Sequence, residues 1–224
     1  MLNAHRDAVV AHELDAPPLV LAGCSRDELF SRILARAYWF NMRGNRANYP
    51  YAIPGQWQGR FETLRVIGDK RGGKVARTVA DHPDFLDRVR SLVGIPLRLV
   101  HVVRNPFDNI SALSIWHTLS LEESIDFYFR HWETTARLDE VCSPEELMVL
   151  KHEELIRDPK AVLAELLEFL DLEAYPGYLD DCSRVVFDQP TRTSRRVPWT
   201  PELVREVERR IRPYPPVAGY TFDA

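Results

Sequence analysis

Cysteine is scarce in this chain. Cys24, Cys142 and Cys182 are the only three in 224 residues, far apart and without a CxxC pair. Such spacing indicates neither a disulfide framework nor a zinc site, and a cytoplasmic, reducing setting is the simplest expectation. A dominant charge is also lacking: 29 Lys and Arg against 33 Asp and Glu leave a formal net charge of −4. No global field therefore draws the chain to nucleic acid, and anion binding must come from local clusters. No apolar run approaches the ~18 residues that a bilayer span needs. The opening "MLNAHRDAVVAHELD" has no apolar core of signal-peptide type. Internal repeats, low-complexity tracts and a GxxxxGK[ST] phosphate loop are missing too, and the last absence argues against a P-loop kinase. The expected partners exclude nucleic acid, membrane and metal.

What remains is ordinary globular material, 45% hydrophobic and 28% charged, enough for one sizeable core. "SRDELFSRILARAYWF" reads as a helix, with Ser25 and Glu28 as a capping box and Leu29, Ile33, Ala37 and Phe40 at helical spacing. Residues 41–60 lack a period and read as a long loop, either a binding segment or a solvated connection. "LRVI" (64–67) is a short strand ending in the basic turn "GDKRGGK", and His82 and Pro83 open a helix. "LRLVHVV" (97–103) is the best buried strand, continuous and β-branched as parallel strands covered on both faces are. Asn105 and Pro106 start the next helix, and Ser120 and Glu123 cap another. "LMVL" (147–150) is a further strand; Asp158–Pro159 and Thr200–Pro201 open the last two helices. Strands alternating with helices predict an α/β fold with a mainly parallel central sheet, three layers in one domain over 1–224. Ligands in such sheets bind beyond the carboxyl ends of the strands, so "GDKRGGK" and "RNP" are expected to face one crevice.

Arg104 stands at such an end, two residues before a proline-started helix. Its guanidinium, the helix dipole and free amides are expected to point at one place, suited to a phosphate. The alternative from spacing is that Arg104 pairs with Asp108 and that Asn105 and Asp108 only cap the helix. Lys70 is either a neutraliser of a transferring anionic group or a solvated lysine in a basic turn. The clearest basic cluster is "TRTSRR", with Arg192, Arg195 and Arg196.

"VVRNPFDNIS" resembles the 3′-phosphate-binding segment of sulfotransferases that use 3′-phosphoadenosine 5′-phosphosulfate. "VLKHEELIRDPKAVLAELLEFLDLE" is similar to that family's later strand, acidic pair, "DP" and helix. "GDKRG" matches its lysine after a central strand, and "VPWTPELVREVERRI" with "GYTF" resembles its C-terminal end. "MLNAHRDAVVAHELD" looks like the stretch after the phosphosulfate loop in the tyrosylprotein-type branch. The resemblance implies a P-loop nucleotide-hydrolase-like fold and sulfuryl transfer to a hydroxyl or amine. It implies Arg104 and Ser111 on the 3′-phosphate, with Arg192, Ser194 and Arg195 closing over the nucleotide. Lys70 becomes the electrostatic stabiliser and Glu13 the base, with His12 as second candidate.

There are departures. The family's helix serine falls on Ala112 here; Ser111 is one residue early and Ser114 two late, so Ser111 must absorb about 100° of helical rotation. "YE" is replaced by His152 and Glu153. No "PRSGTT"-like loop occurs, so the chain is expected to be N-terminally shortened and to transfer little as it stands. A non-catalytic nucleotide-binding remnant is the alternative function. The acceptor stays open among small molecules, carbohydrates and peptides. Tyr49, Tyr51, Trp57, Arg43, Arg46 and Arg60 of the long loop are candidates to line its site.

Overall fold

The structure, a computed structural model, describes residues 1–42 and 52–223. Arg43, Arg46, Tyr49 and Tyr51 of the expected binding loop lie outside the described residues. In chain order the elements are β1 (Ala8–His12), α1 (Ala16–Leu21), α2 (Arg26–Met42), β2 (Val66–Lys70), α3 (Lys74–Asp81), α4 (Phe85–Val93), β3 (Leu99–Val103), α5 (Pro106–His117), α6 (Leu121–Val141), β4 (Leu147–Lys151), α7 (His152–Arg157), α8 (Pro159–Phe169), α9 (Tyr178–Ser183) and α10 (Pro201–Ile211). The fold is α/β with parallel strands. Among the described residues the strands pair as two parallel ladders, β1 with β2 and β3 with β4. The chain divides into two compact units, Met1–Arg98 with Asp158–Val186, and Leu99–Arg157 with Phe187–Ala224.

In the first unit β1 buries Ala8, Val9 and Ala11, and its register runs from Ala8 opposite Val66 to His12 opposite Lys70. β2 thus begins two residues later than "LRVI" and includes Gly68, Asp69 and Lys70. The apolar count favoured 64–67, but the ladder with β1 decides the strand, and Glu13 N extends it by donating to Lys70 O at 3.1 Å. α2 forms as its spacing predicts, with Leu29, Ile33 and Ala37 buried and Ser25 Oγ accepting from Glu28 N at 3.2 Å. α3 is a helix where the sequence suggested only a basic turn. It opens after Gly73, whose φ of 65° suits glycine at a left-handed N-cap, and it buries Ala76, Thr78 and Val79.

The core of the second unit gathers Val103, Phe107 and Ile110 with Ile125, Phe129 and Trp132 of α6 and Val207 and Ile211 of α10. Local signals explain the helix starts. Asn105 caps α5 by accepting from Phe107 N, and Ser120 and Glu123 form a reciprocal capping box on α6. β3 departs from expectation: Val103 is buried but Val102 is 57% exposed. In a two-stranded ladder, side chains alternate between a covered and an open face, whatever their apolarity. Among the described residues no helix is long and apolar enough to cross a membrane.

Candidate functional site

In the second unit, β3 delivers Arg104 to the turn before α5. Its Nη2 donates to Thr191 O and to Thr193 Oγ1 (3.3 Å), and lies 3.5 Å from Asp108 Oδ2. Arg104 Nε is buried and has no hydrogen-bond partner among the described residues. A buried, unsatisfied guanidinium N–H is costly, and an anionic oxygen is its natural complement. Asp108 is 4% exposed at the side chain and also accepts from Ser194 N at 2.8 Å. It therefore ties the start of α5 to the short 3-10 turn Thr193–Arg196. Arg192 donates to Asp223 O at 3.0 Å, and Arg195 and Arg196 are exposed on that turn.

The free amides expected at the start of α5 are mostly taken. Asn105 Oδ1 accepts from Phe107 N, Pro106 has no N–H, and Glu153 Oε1 accepts from Asn105 N at 2.9 Å. Glu153 also accepts from Tyr220 Oη at 2.6 Å, and burial, followed by this hydrogen bond and the Glu153 charge, pushes the Tyr220 phenol well up. Ser111 does not reach this surface. It is fully buried, donates to Phe107 O at 2.7 Å and accepts from Trp199 Nε1 at 2.9 Å. A hydroxyl has one proton to donate, and here it is spent inside the protein. Ser114 is no substitute, since its hydroxyl donates to Leu119 O at 2.7 Å. His152 lies beside Glu153, Arg104 and Asp108, and burial holds its imidazole below the usual histidine range.

Glu13 and Lys70 belong to the first unit, at the carboxyl ends of β1 and β2. The Glu13 carboxylate lies 3.7 Å from Lys70 Nζ and 3.3 Å from Arg71 Nη1. His12 Nδ1 is 3.4 Å from Lys70 Nζ, and the His12 ring meets Phe40 edge-on at 4.2 Å. Asp69, which no motif singled out, accepts from Leu14 N and Ala16 N. Lys74 pairs with Asp15. The structure therefore joins Glu13 to Lys70, and Arg104 to the 191–196 segment. Trp57 and Arg60, from the long loop, also sit in the first unit, where Arg60 Nε donates to Trp57 O at 3.1 Å. Among the described residues no group of three or more His, Cys, Asp or Glu could hold a metal ion.

A family model described as the sulfotransferase family matches residues 97–176. Cytosolic sulfotransferase 14 of Arabidopsis thaliana is 28% identical to this chain over 47% of its length, and the match spans 36% of that relative. Two solved structures resemble the chain. One is the sulfotransferase domain of the Synechococcus PCC 7002 olefin synthase, with a TM-score of 0.44 at 14% identity, covering 90% of this chain and 74% of that one. The other is the sulfotransferase domain of the curacin biosynthetic pathway, with a TM-score of 0.41 at 12% identity, covering 88% and 77%. Residues 97–176, which carry Arg104 between β3 and α5 and include "VVRNPFDNIS", are thus similar to the sulfotransferase family.

Proposed function

We propose that this protein transfers a sulfuryl group from 3′-phosphoadenosine 5′-phosphosulfate to a hydroxyl or amine acceptor, in a cytoplasmic setting. The observation that carries the reading is Arg104, a strand-end arginine inside the family-matched segment with its Nε unpartnered among the described residues. In this reading Arg104 holds the 3′-phosphate, and Arg192 and Arg195 add charge from the 3-10 turn that Asp108 fixes through Ser194 N. Ser111 serves from behind, by anchoring Trp199. In the transfer the sulfur–oxygen bond to the 5′-phosphate breaks and a new bond forms to the acceptor heteroatom. Glu13 takes the acceptor's proton, and Lys70 offsets the negative charge gathering on the leaving phosphate. The products are the sulfated acceptor and 3′,5′-bisphosphoadenosine.

A second reading, nucleotide binding without transfer, draws on the engagement of Glu13 by two cations. Calorimetry with 3′,5′-bisphosphoadenosine tests the binding common to both. Loss of the charge-assisted contact in Arg104→Ala is expected to cost on the order of 2–3 kcal/mol of affinity. Unchanged affinity would remove Arg104 from the site. Turnover with the phosphosulfate donor and a panel of hydroxyl and amine acceptors separates the readings, since binding without any sulfated product favours the second.

A further inference from the structure

The segment that follows β1 holds an unusual backbone. Glu13 and Asp15 both adopt left-handed conformations, with φ of 56° and 69°. Neither is glycine, so each conformation costs free energy that the surroundings must offset. Asp69 is what offsets it. Its Oδ1 accepts from Leu14 N at 3.0 Å and its Oδ2 from Ala16 N at 3.1 Å. Leu14 follows Glu13 and Ala16 follows Asp15, so each carboxylate oxygen pins the peptide plane leaving one left-handed residue. The plane entering Glu13 is pinned by the next residue along β2, because Glu13 N donates to Lys70 O. Residues 69 and 70 thus set both backbone torsions of Glu13. Asp15, the N-cap of α1, makes no side-chain cap bond of its own. Its carboxylate goes to Lys74 instead, which leaves the start of α1 to Asp69.

We propose that Asp69 is the positioning residue for Glu13: it holds the strained backbone that aims the Glu13 carboxylate at Lys70 and Arg71. The catalytic consequence rests on the proposed role of Glu13 as base; the anchoring does not. Only a carboxylate of this length offers one acceptor to each amide. Asn would turn an N–H₂ toward one of them, and Glu would carry both oxygens one methylene too far.

The experiment uses the full chain with Asp69→Ala and the gentler Asp69→Asn, alone and combined with Glu13→Gln. Amide exchange at Leu14 and Ala16 is expected to quicken by about tenfold or more while core amides such as that of Ile110 keep their protection. In turnover assays kcat is expected to fall by about 10–100-fold with little change in the donor KM. In the Glu13→Gln background the Asp69 substitutions should change kcat by less than about twofold, because no base remains to be aimed. A merely structural role would give additive losses in that cycle, and additivity overturns the proposal, as does unchanged exchange at Leu14 and Ala16. If the wild-type chain transfers no sulfuryl group, the functional reading fails on its own. Asp69 is then judged by the exchange rates and by the Glu13 carboxylate ¹³C shift at pH 7. A moved shift in Asp69→Asn supports the positioning role, and an unmoved one overturns it.

Discussion

Ser111→Ala separates a structural serine from a ligand-binding one. The hydroxyl is fully buried between Phe107 O and Trp199 Nε1. Phe107 O lies inside α5, where the helix ladder supplies its own donor, so it loses little. The Trp199 N–H is left without an acceptor on a ring wedged between Phe107 (5.3 Å) and Phe222 (5.9 Å). An unsatisfied buried donor costs about 1–3 kcal/mol, and Ala returns up to about 0.5 kcal/mol of helix propensity. The net expectation is a loss of about 1–2 kcal/mol, or about 2–8 °C in Tm for a chain of this size. In a Trp199→Phe background the donor is gone, and Ser111→Ala should be nearly neutral. The coupling in that cycle should then be about 1 kcal/mol. Urea unfolding followed by circular dichroism measures the four stabilities, and calorimetry with 3′,5′-bisphosphoadenosine measures affinity. Unchanged stability with a tenfold or greater loss of affinity in both backgrounds would refute this reasoning and return Ser111 to the phosphate.

Two other perturbations test the second unit. Burial, and secondarily His131, lowers the His101 pKa to about 4. The folded state thus resists a proton that the unfolded state accepts near 6.5, so this contribution is whole above pH 7 and is lost as pH falls from about 6.5 to 4. The loss should approach about 3 kcal/mol at pH 4, so between pH 7.5 and 4.5 the urea midpoint of wild type should fall further than that of His101→Leu, and equal falls would show that His101 is not the cause. Phe129 is 2% exposed, with the Arg210 guanidinium 4.2 Å above its ring. Phe129→Ala should cost about 3–5 kcal/mol by urea unfolding, and a loss below 1 kcal/mol would mean the core around α6 can collapse into the space.

Helix starts were legible because their signals are local. Asn105–Pro106, Ser120 with Glu123, Asp158–Pro159 and Thr200–Pro201 each place a capping oxygen or a fixed φ beside the first turn, and helices begin there. What was misread depends on partners distant in sequence. The extent of β2 is set by β1, fifty-eight residues away at the Ala8–Val66 pair. The open face of β3 depends on what covers Val102, which apolarity alone does not reveal. α3 was hidden by "GDKRGGK", whose three glycines and three cations read as a turn. The Ser111 register had an available signal: Ser111 is four residues after Phe107 and one after Ile110, so it shares the apolar face of α5. Asp69 gave no signal, because both of its partners are backbone amides, which every sequence contains.

Both clusters obey one electrostatic rule with different consequences. A cation suited to an anionic ligand is met by a carboxylate of its own chain. In the second unit that carboxylate is Asp108, 4% exposed and anchored to Ser194 N, so it stays and fixes the direction of Arg104. In the first unit it is Glu13, whose side chain is 42% exposed beside Lys70 and Arg71, exposed 58% and 36%. Pairs so exposed contribute at most about 1 kcal/mol each. Under the proposed function a phosphosulfate, with several charged oxygens, would displace Glu13 from its cations at small cost, whereas Asp108 is held by Ser194 N as well as by Arg104. Under the proposed function this difference suits the two tasks. The group that holds the nucleotide needs a fixed cation, and the group that accepts a proton needs a carboxylate that the donor itself sets free.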